Sequence, residues 1–445
     1  MIPYLKYDII IIGAGVAGLR AGLELYEKKV NFLILEASSE IFGRVRTLYD
    51  FADFPIELGA ECIHGNNNDL YFLAKSFIQN NNYSFIKNNY KELYWVPDLQ
   101  KLLEYDDIIQ AKSSSVGKEL KEALKFDKLI GSYNKEKDLS IKDFKEMYLK
   151  DNQFKDIFVA LSSHDKGAGE TEAGMYGLQE DEENWGTSTD DSYEEFLFKK
   201  GNFSEMFSIY FQKILDRVEK NCVVSEIDYQ NDQIQITLQN GLIYSCKKAI
   251  VTVSLGILKS DLIKFSPALP AEKKEAIHCL GFSGGIKILI KLKKPFWPKK
   301  TLFIFANGQG IIPVYWVTSA GGRSRKDFVL TGFFMGNEAK NYVQKSDFLI
   351  IQVKLQLSKL FNISEAHLEE NVMSTYVKNW FEEPFTKGGY SFITINNGYK
   401  NHRKNLAKNI RKKIFFAGEA TSINFSSTIQ GGMITGFKAA QEAVE

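Results

Sequence analysis

The stretch Tyr7–Ser38, YDIIIIGAGVAGLRAGLELYEKKVNFLILEAS, decides the fold. Ile9 to Ile12 make an apolar run of strand length, and Gly13, Gly15 and Gly18 follow in G-x-G-x-x-G spacing. A helix is predicted from about Val16 to Glu27, with VNFLILE as the next strand. Gly13 serves the tight turn, Gly15 lets the backbone approach a pyrophosphate, and Gly18 lets the helix lie close on the sheet. The helix start offers unpaired N–H groups and a partial positive charge. Glu36 ends the second strand, where a carboxylate accepts hydrogen bonds from both ribose hydroxyls. This βαβ unit is expected to hold the adenosine half of a dinucleotide, a half that NAD and FAD share.

The far end of the chain repeats the idea. Ile414–Ala440, IFFAGEATSINFSSTIQGGMITGFKAA, reads as a short strand, a glycine-broken loop and a second helix, with Gly418 and Glu419 at the strand end and Thr428 and Ile429 at the helix start. Between the ends, IFGRVRT places Gly43 and Arg44 within reach of the same pyrophosphate. PIELGAECIHG then supplies small residues, Gly59 and Ala60, suited to a flat ring. A ligand met by both ends of the chain must be long, and FAD fits: adenosine on the first unit, ribitol near Glu419, and the isoalloxazine edge against the second helix start. No other G-x-G-x-x-G follows a strand and no C-x-x-C occurs, so electrons are expected to come from an organic substrate directly.

Composition narrows the class. The 445 residues are 44% hydrophobic, enough for two cores, and 56 Lys plus Arg balance 55 Asp plus Glu, so no overall field recruits nucleic acid or an anionic membrane. The apolar run near the start is too short for a signal segment or a membrane span, which makes a cytoplasmic address the expectation. Cys62, Cys222, Cys246 and Cys279 are widely spaced and the five histidines are scattered, so neither a disulfide framework nor a metal site is expected. The N-x-S triplets at Asn82, Asn202, Asn362 and Asn424 read as chance matches in an Asn-rich chain.

Four segments, in order, resemble the flavin-dependent amine oxidases, the family of polyamine oxidases, monoamine oxidases and lysine-specific histone demethylases, with the polyamine oxidase branch as the closest match. They are IELGAECIHG (Ile56–Gly65), GGIKILIKLKKPFW (Gly284–Trp297), WFEEPFTKGGYSF (Trp380–Phe392) and FFAGEATSINFSSTIQGGMITG (Phe415–Gly436). The resemblance implies that Lys287 is the active-site lysine that holds a water against flavin N5. It implies that Tyr390 belongs to an aromatic cage before the ring, that Trp380 packs beside the ring, that His64 lies near substrate, and that backbone at Val224 meets adenine. Two departures stand out. Glu40, Ile41, Phe42, Gly43 and Arg44 replace the family's R-x-G-G-R, which puts FAD affinity in question; and no cysteine precedes the last helix, so non-covalent FAD is expected. Thr428 stands where monoamine oxidases have a second cage tyrosine, which leaves room for a longer substrate.

The expected fold is mixed α/β, a discontinuous Rossmann-type FAD domain (1–80, 201–265 and 401–445) interleaved with a substrate domain (81–200 and 266–400). In the latter, 80–200 reads as polar and helical, GIKILIKL and FVLTGFFM as strands, and SDFLIIQVKLQLSKLF as a helix. The reaction implied is hydride removal from a carbon next to an amine nitrogen, hydrolysis of the imine to aldehyde and amine, and reduction of O2 to H2O2. A polyamine-like amine would need acidic partners. Glu61 is the sharper candidate; the run Glu180–Glu183 with Asp190 and Asp191 reads as a solvated loop, or less simply as a substrate entrance. The expected partners are thus a small amine and O2, with no metal, nucleic acid or membrane. An amino-acid or monoamine oxidase, a desaturase, and a flavin-bound interaction protein without turnover remain alternatives.

Overall fold

The computed structural model describes residues 5–81, 83–86, 90–110, 115–134, 136–164, 166–185, 195–324 and 326–445. Asp190 and Asp191, named above, lie outside them. The nucleotide-type unit forms as its sequence dictates: strand Leu5–Ile12, helix Val16–Glu27, strand Phe32–Leu35. The two strands pair in parallel, Ile9 with Phe32 through Ile12 with Leu35. Being covered on both faces, Ile9 to Ile12 are at most 3% exposed, which is why the run is continuous rather than alternating.

Chain from two distant stretches, 218–266 and 414–416, completes this sheet. Its order is Val218–Glu219, Phe32–Leu35, Leu5–Ile12, Ile243–Val251, Ile234–Leu238, Val224–Asp228 and Lys264–Ser266, with Ile414–Phe416 added in parallel to Ile243–Val251. Turns near Asn231 and Asn240 close the two hairpins that lead into Ile243–Val251. The last helix, Ile429–Val444, crosses the first helix closely, since a Cβ on Gly436 would lie 2.1 Å from the Ala17 carbonyl oxygen. Both helix starts therefore open on the same side of the sheet.

A second sheet of seven strands runs Val372–Asn379, Gly285–Leu292, Phe328–Met335, Val314–Val317, Thr301–Phe305, Lys91–Val96 and Lys101–Glu104. One face is a dry core against helix Ser346–Phe361, whose Leu349, Val353, Leu357 and Leu360 recur at helical spacing and pack on Ile286, Ile288 and Ile290. Each such side chain contributes about 1.5–3 kcal/mol, so an acid at Val353 would undo this layer. The other face carries Lys287 and looks toward the helices between Tyr105 and Trp185.

Two expectations change. The 80–200 segment is not only helical: Lys91–Val96 and Lys101–Glu104 are strands that close the second sheet. The acidic run is not a solvated loop, because Glu180–Glu183 sit on helix Met175–Trp185 with Asp181 and Glu182 buried.

Candidate active site

A continuous cavity of about 980 Å³ runs between the two sheets. Gly13, Gly15, Glu36, Gly43, Arg44, Val224, Gly418, Glu419, Thr428 and Ile429 line one part, and Gly59, Ala60, Glu61, His64, Lys287, Trp380 and Tyr390 the rest. Of the residues expected at the site, Gly18 alone is off the wall. Its role is packing, as a Cβ there would fall 2.0 Å from the Gly13 oxygen.

The nucleotide end is built from backbone. Gly13 takes φ +104°, and a Cβ at Gly15 or Gly418 would meet nothing within 4 Å, so both present bare backbone to open space. Neither the first nor the last helix has an acidic residue in its first turn, so both positive ends are left for an anion or an electron-rich ring edge. Thr428 caps the last helix, its side chain accepting from the Gly431 amide at 3.1 Å. Glu36 is buried and accepts from the Ala14 amide (2.6 Å) and the Ser38 amide (2.8 Å). Burial nevertheless leaves its carboxyl above the ordinary range, against those bonds and the Arg46 charge. These groups fit a dinucleotide-sized cofactor.

The altered turn resolves simply. Phe42 adopts φ +75°, the left-handed conformation its glycine counterpart would supply, and its amide donates to Ala14 O at 2.8 Å. Its ring turns away into the core, 6.2 Å from Phe207, and Gly43 approaches Gly15. Backbone geometry is kept at the cost of about 1 kcal/mol of local strain. Arg44 donates to Glu419 (2.8 Å) and to the Gly389 carbonyl (2.6 Å), so two groups expected along the ligand also hold each other.

The substrate end is built from side chains. Lys287 Nζ, buried, donates to the carbonyls of Glu57 (3.1 Å) and Gly59 (2.8 Å) and to Glu61 (3.2 Å), and sits 5.2 Å from the Trp316 ring centre. Its three donors are all matched, so a water held here takes over one of these bonds. Trp380 Nε1 donates to the Leu58 carbonyl at 3.0 Å, tying the ring to the Gly59 turn. Tyr390 begins strand Tyr390–Ile393, and Gly167 packs on its ring so closely that a Cβ would clash at 2.3 Å.

Glu61, expected to meet a distal ammonium, lines the cavity and is shared by Lys287 (3.2 Å) and Arg323 (3.3 Å) in a buried triad. A lone charge pattern in sequence could not reveal this, because Arg323 is 262 residues away. His64 pairs with Glu195 at 2.8 Å and lies 5.6 Å from the Trp185 ring. Desolvation would raise Glu195, but the His64 charge and hydrogen bond, with Lys166 behind, hold its carboxyl below the ordinary range. Lys166 pairs with Glu182 at 2.9 Å and stacks over Trp185. Trp185, Lys166, Glu195, Trp316 and Phe333 also line the cavity and were missed, while Glu182 was named only within the acidic run; Phe333 was read as part of a strand, without a place at the site. Among the described residues no group of acidic, His or Cys side chains could hold a metal, and no helix is long and apolar enough to cross a membrane.

Comparison with known proteins agrees with this geometry. The chain is 26% identical to lysine-specific histone demethylase 1 homolog 3 of Arabidopsis thaliana, over 98% of this chain but 30% of that protein. It is 23% identical to human lysine-specific histone demethylase 2, over 99% of this chain and 53% of the relative. The chain thus spans about half or less of the demethylases it matches. It is 24% identical to polyamine oxidase 2 of Arabidopsis thaliana over 98% of this chain and 87% of that protein, so identity does not separate the two branches. Among solved structures, putrescine oxidase bound to putrescine superposes with TM-score 0.80 at 15% identity, covering 99% of this chain and 100% of the other. Cyclohexylamine oxidase from Brevibacterium oxydans IH-35A superposes with TM-score 0.77 at 19%, covering 98% of each. Residues 16–444 match the family described as flavin containing amine oxidoreductase. FAD is the cofactor that this cavity and that match share, and the chain belongs to the flavin-containing amine oxidoreductase family.

Proposed function

We propose that the chain oxidises an elongated amine with FAD, the residues 1–80, 201–265 and 401–445 holding the cofactor and 81–200 with 266–400 shaping the substrate site. The observation that carries this is Lys287, buried in an aromatic wall at the place where the Gly59 turn, Trp380 and the last helix converge on one cavity. The names of relatives that act on polyamines and putrescine support an amine as substrate. Bound FAD supplies the acceptor for a hydride from the carbon next to the amine nitrogen and passes both electrons to O2, giving H2O2, while water hydrolyses the imine to aldehyde and amine.

The protein's own residues prepare that step. Trp316, Phe333 and Tyr390 exclude water and disfavour the ammonium, so the nitrogen enters neutral with its lone pair available to the breaking C–H bond. Lys287 anchors the Gly59 turn and can present a hydrogen bond donor to a water in the cavity. Gly59 and Ala60 leave room for a flat ring, with Trp380 beside it. Thr428 spends its hydroxyl on the helix cap, so its short side chain leaves the approach open. The cofactor is held without a covalent link, in keeping with the absence of cysteine between Thr421 and Gln430. An anaerobic visible spectrum tests the reading: an elongated amine bleaches the bound flavin and air restores it. Bound flavin that no amine bleaches would contradict it and favour a flavin-bound interaction protein.

A further inference from the structure

Lys287 stands on the channel floor, the face of the seven-stranded sheet that also bears Phe333, Trp316 and Phe303. Its three N–H donors are all spent inside the wall: on the Glu57 carbonyl (3.1 Å), the Gly59 carbonyl (2.8 Å) and the Glu61 carboxylate (3.2 Å). To serve a water in the cavity, Lys287 must give up one of these bonds. Releasing either carbonyl takes a charged donor from a buried backbone acceptor. The carboxylate differs, because Arg323 Nη1 stands 3.3 Å from its other oxygen. Leaving Lys287, Glu61 keeps a buried ion pair; without Arg323 it would be left as an uncompensated buried charge. The Glu57 side chain does not compete for Lys287, as its oxygens accept from the Phe203 amide (2.8 Å) and the Thr47 hydroxyl (2.8 Å).

Arg323 is placed to act on Glu61 from behind. Glu61 and Lys287 both stand on the cavity wall, whereas Arg323 does not, and its side chain is 10% exposed. Nε donates to the Phe198 carbonyl (2.5 Å) and Nη1 also to the Thr318 carbonyl (3.2 Å), so the guanidinium is held as a fixed fork. Two successive left-handed glycines, Gly321 at φ +75° and Gly322 at φ +77°, turn the chain after strand Val314–Val317 and bring Arg323 to this pair.

Resting on the amine-oxidase reading above, we infer that Arg323 is a positioning residue for amine oxidation: paired with Glu61 behind the wall, it makes the Glu61 bond the exchangeable one. Lys287 then turns one N–H toward a water in the cavity and keeps both carbonyl anchors. Without Arg323, Glu61 retains Lys287 as its cationic partner and clamps it. Arg323 therefore acts on the rate rather than on the grip on the amine, since it does not line the cavity.

The test uses the flavin-loaded full chain, with spermine, putrescine and decylamine offered in turn and the fastest reductant of the wild type used throughout. Arg323→Gln is expected to slow anaerobic bleaching at saturating amine about 10-fold, with the half-saturating concentration changed by less than about 3-fold and flavin content unchanged. Adding Glu61→Gln should then speed bleaching about 3-fold or more over Arg323→Gln alone, because the clamping carboxylate is gone; a role limited to packing makes the double variant the slower one. Denaturant midpoints give a readout apart from turnover: Arg323→Gln lowers the midpoint more in the wild type than in Glu61→Gln, where Arg323 no longer has its anion. If Arg323→Gln yields no folded protein, Arg323→Lys carries the test: it keeps a cation behind the wall, so bleaching within about 3-fold of wild type is expected and a larger loss overturns the inference. A double variant no faster than Arg323→Gln, an effect confined to the half-saturating concentration, or equal midpoint shifts in the two backgrounds overturns this inference alone. Failure of all three amines to bleach bound flavin overturns the amine-oxidase reading together with it.

Discussion

The two ends of the cavity are made by opposite means. At the nucleotide end the working groups are bare glycines, amides and helix starts, and the side chains there mostly face away: Phe42 enters the core, and Thr428 caps its own helix. At the substrate end the working groups are side chains whose partners come from distant chain, as with Glu61 between Lys287 and Arg323. The difference teaches that a site made of backbone is written locally in sequence, whereas one made of side chains is written only in the fold.

The sharpest way to break that contrast is at the glycines. Gly18→Ala places a Cβ 2.0 Å from Gly13 O and must displace the turn itself, costing about 3 kcal/mol and weakening flavin binding roughly 100-fold, read from the flavin content of purified protein. Gly15→Ala points into open space from extended backbone, φ −68° and ψ 172°, so the fold should keep its Tm while flavin affinity falls roughly 10-fold or more. A Gly15→Ala protein with full flavin would mean that the phosphates do not lie on this backbone.

At the substrate end the expected effects are electrostatic. Burial pushes the Glu57 carboxyl up to about 7, against its bonds from the Phe203 amide and Thr47. Its folded value lies above the unfolded one, so the native state binds the extra proton between the ordinary carboxyl value and about pH 7. Glu57 therefore makes stability fall as pH rises through that window, by up to about 3 kcal/mol, and level off above it. Denaturant midpoints measured across the window should flatten in Glu57→Gln. Glu61→Gln leaves Lys287 and Arg323 buried without their shared anion and should cost about 3 kcal/mol, seen as a lower denaturant midpoint at unchanged slope.

The smallest change tests the join between the two halves. Phe42→Gly relieves about 1 kcal/mol of backbone strain but removes a buried ring, a loss of about 3 kcal/mol or more, so stability should drop by about 2 kcal/mol. Flavin affinity should stay within a few-fold of wild type, because the backbone already has the conformation glycine would give it. Titration of apo-protein with FAD separates the two effects.

This contrast also explains what sequence could reveal. The helix Val16–Glu27 and the helix Ser346–Phe361 were legible to the residue, because glycine punctuation and apolar periodicity are local signals. Strands Lys91–Val96 and Lys101–Glu104 were not: they pair with each other as a hairpin at the sheet edge, and the strand that joins this hairpin to the sheet, Thr301–Phe305 against Lys91–Val96, is some 200 residues away. Glu180–Glu183 read as solvated because a buried carboxylate looks like an exposed one until its partners, here Lys166 and Ser426, are placed. The cavity collects almost every residue that motif and resemblance had named, yet the channel floor of Trp316, Phe303 and Phe333 was invisible, since alternation shows that a strand has two faces but not which one meets a ligand.

The measurement that tests the division of labour most directly is made on Lys287→Met: flavin content together with the rate of anaerobic bleaching by an amine that reduces the wild type. The expected result is full flavin, since Lys287 touches the Gly59 turn but none of the nucleotide-end glycines, with anaerobic bleaching slowed at least about 100-fold. Loss of flavin, or bleaching at the wild-type rate, would contradict the account.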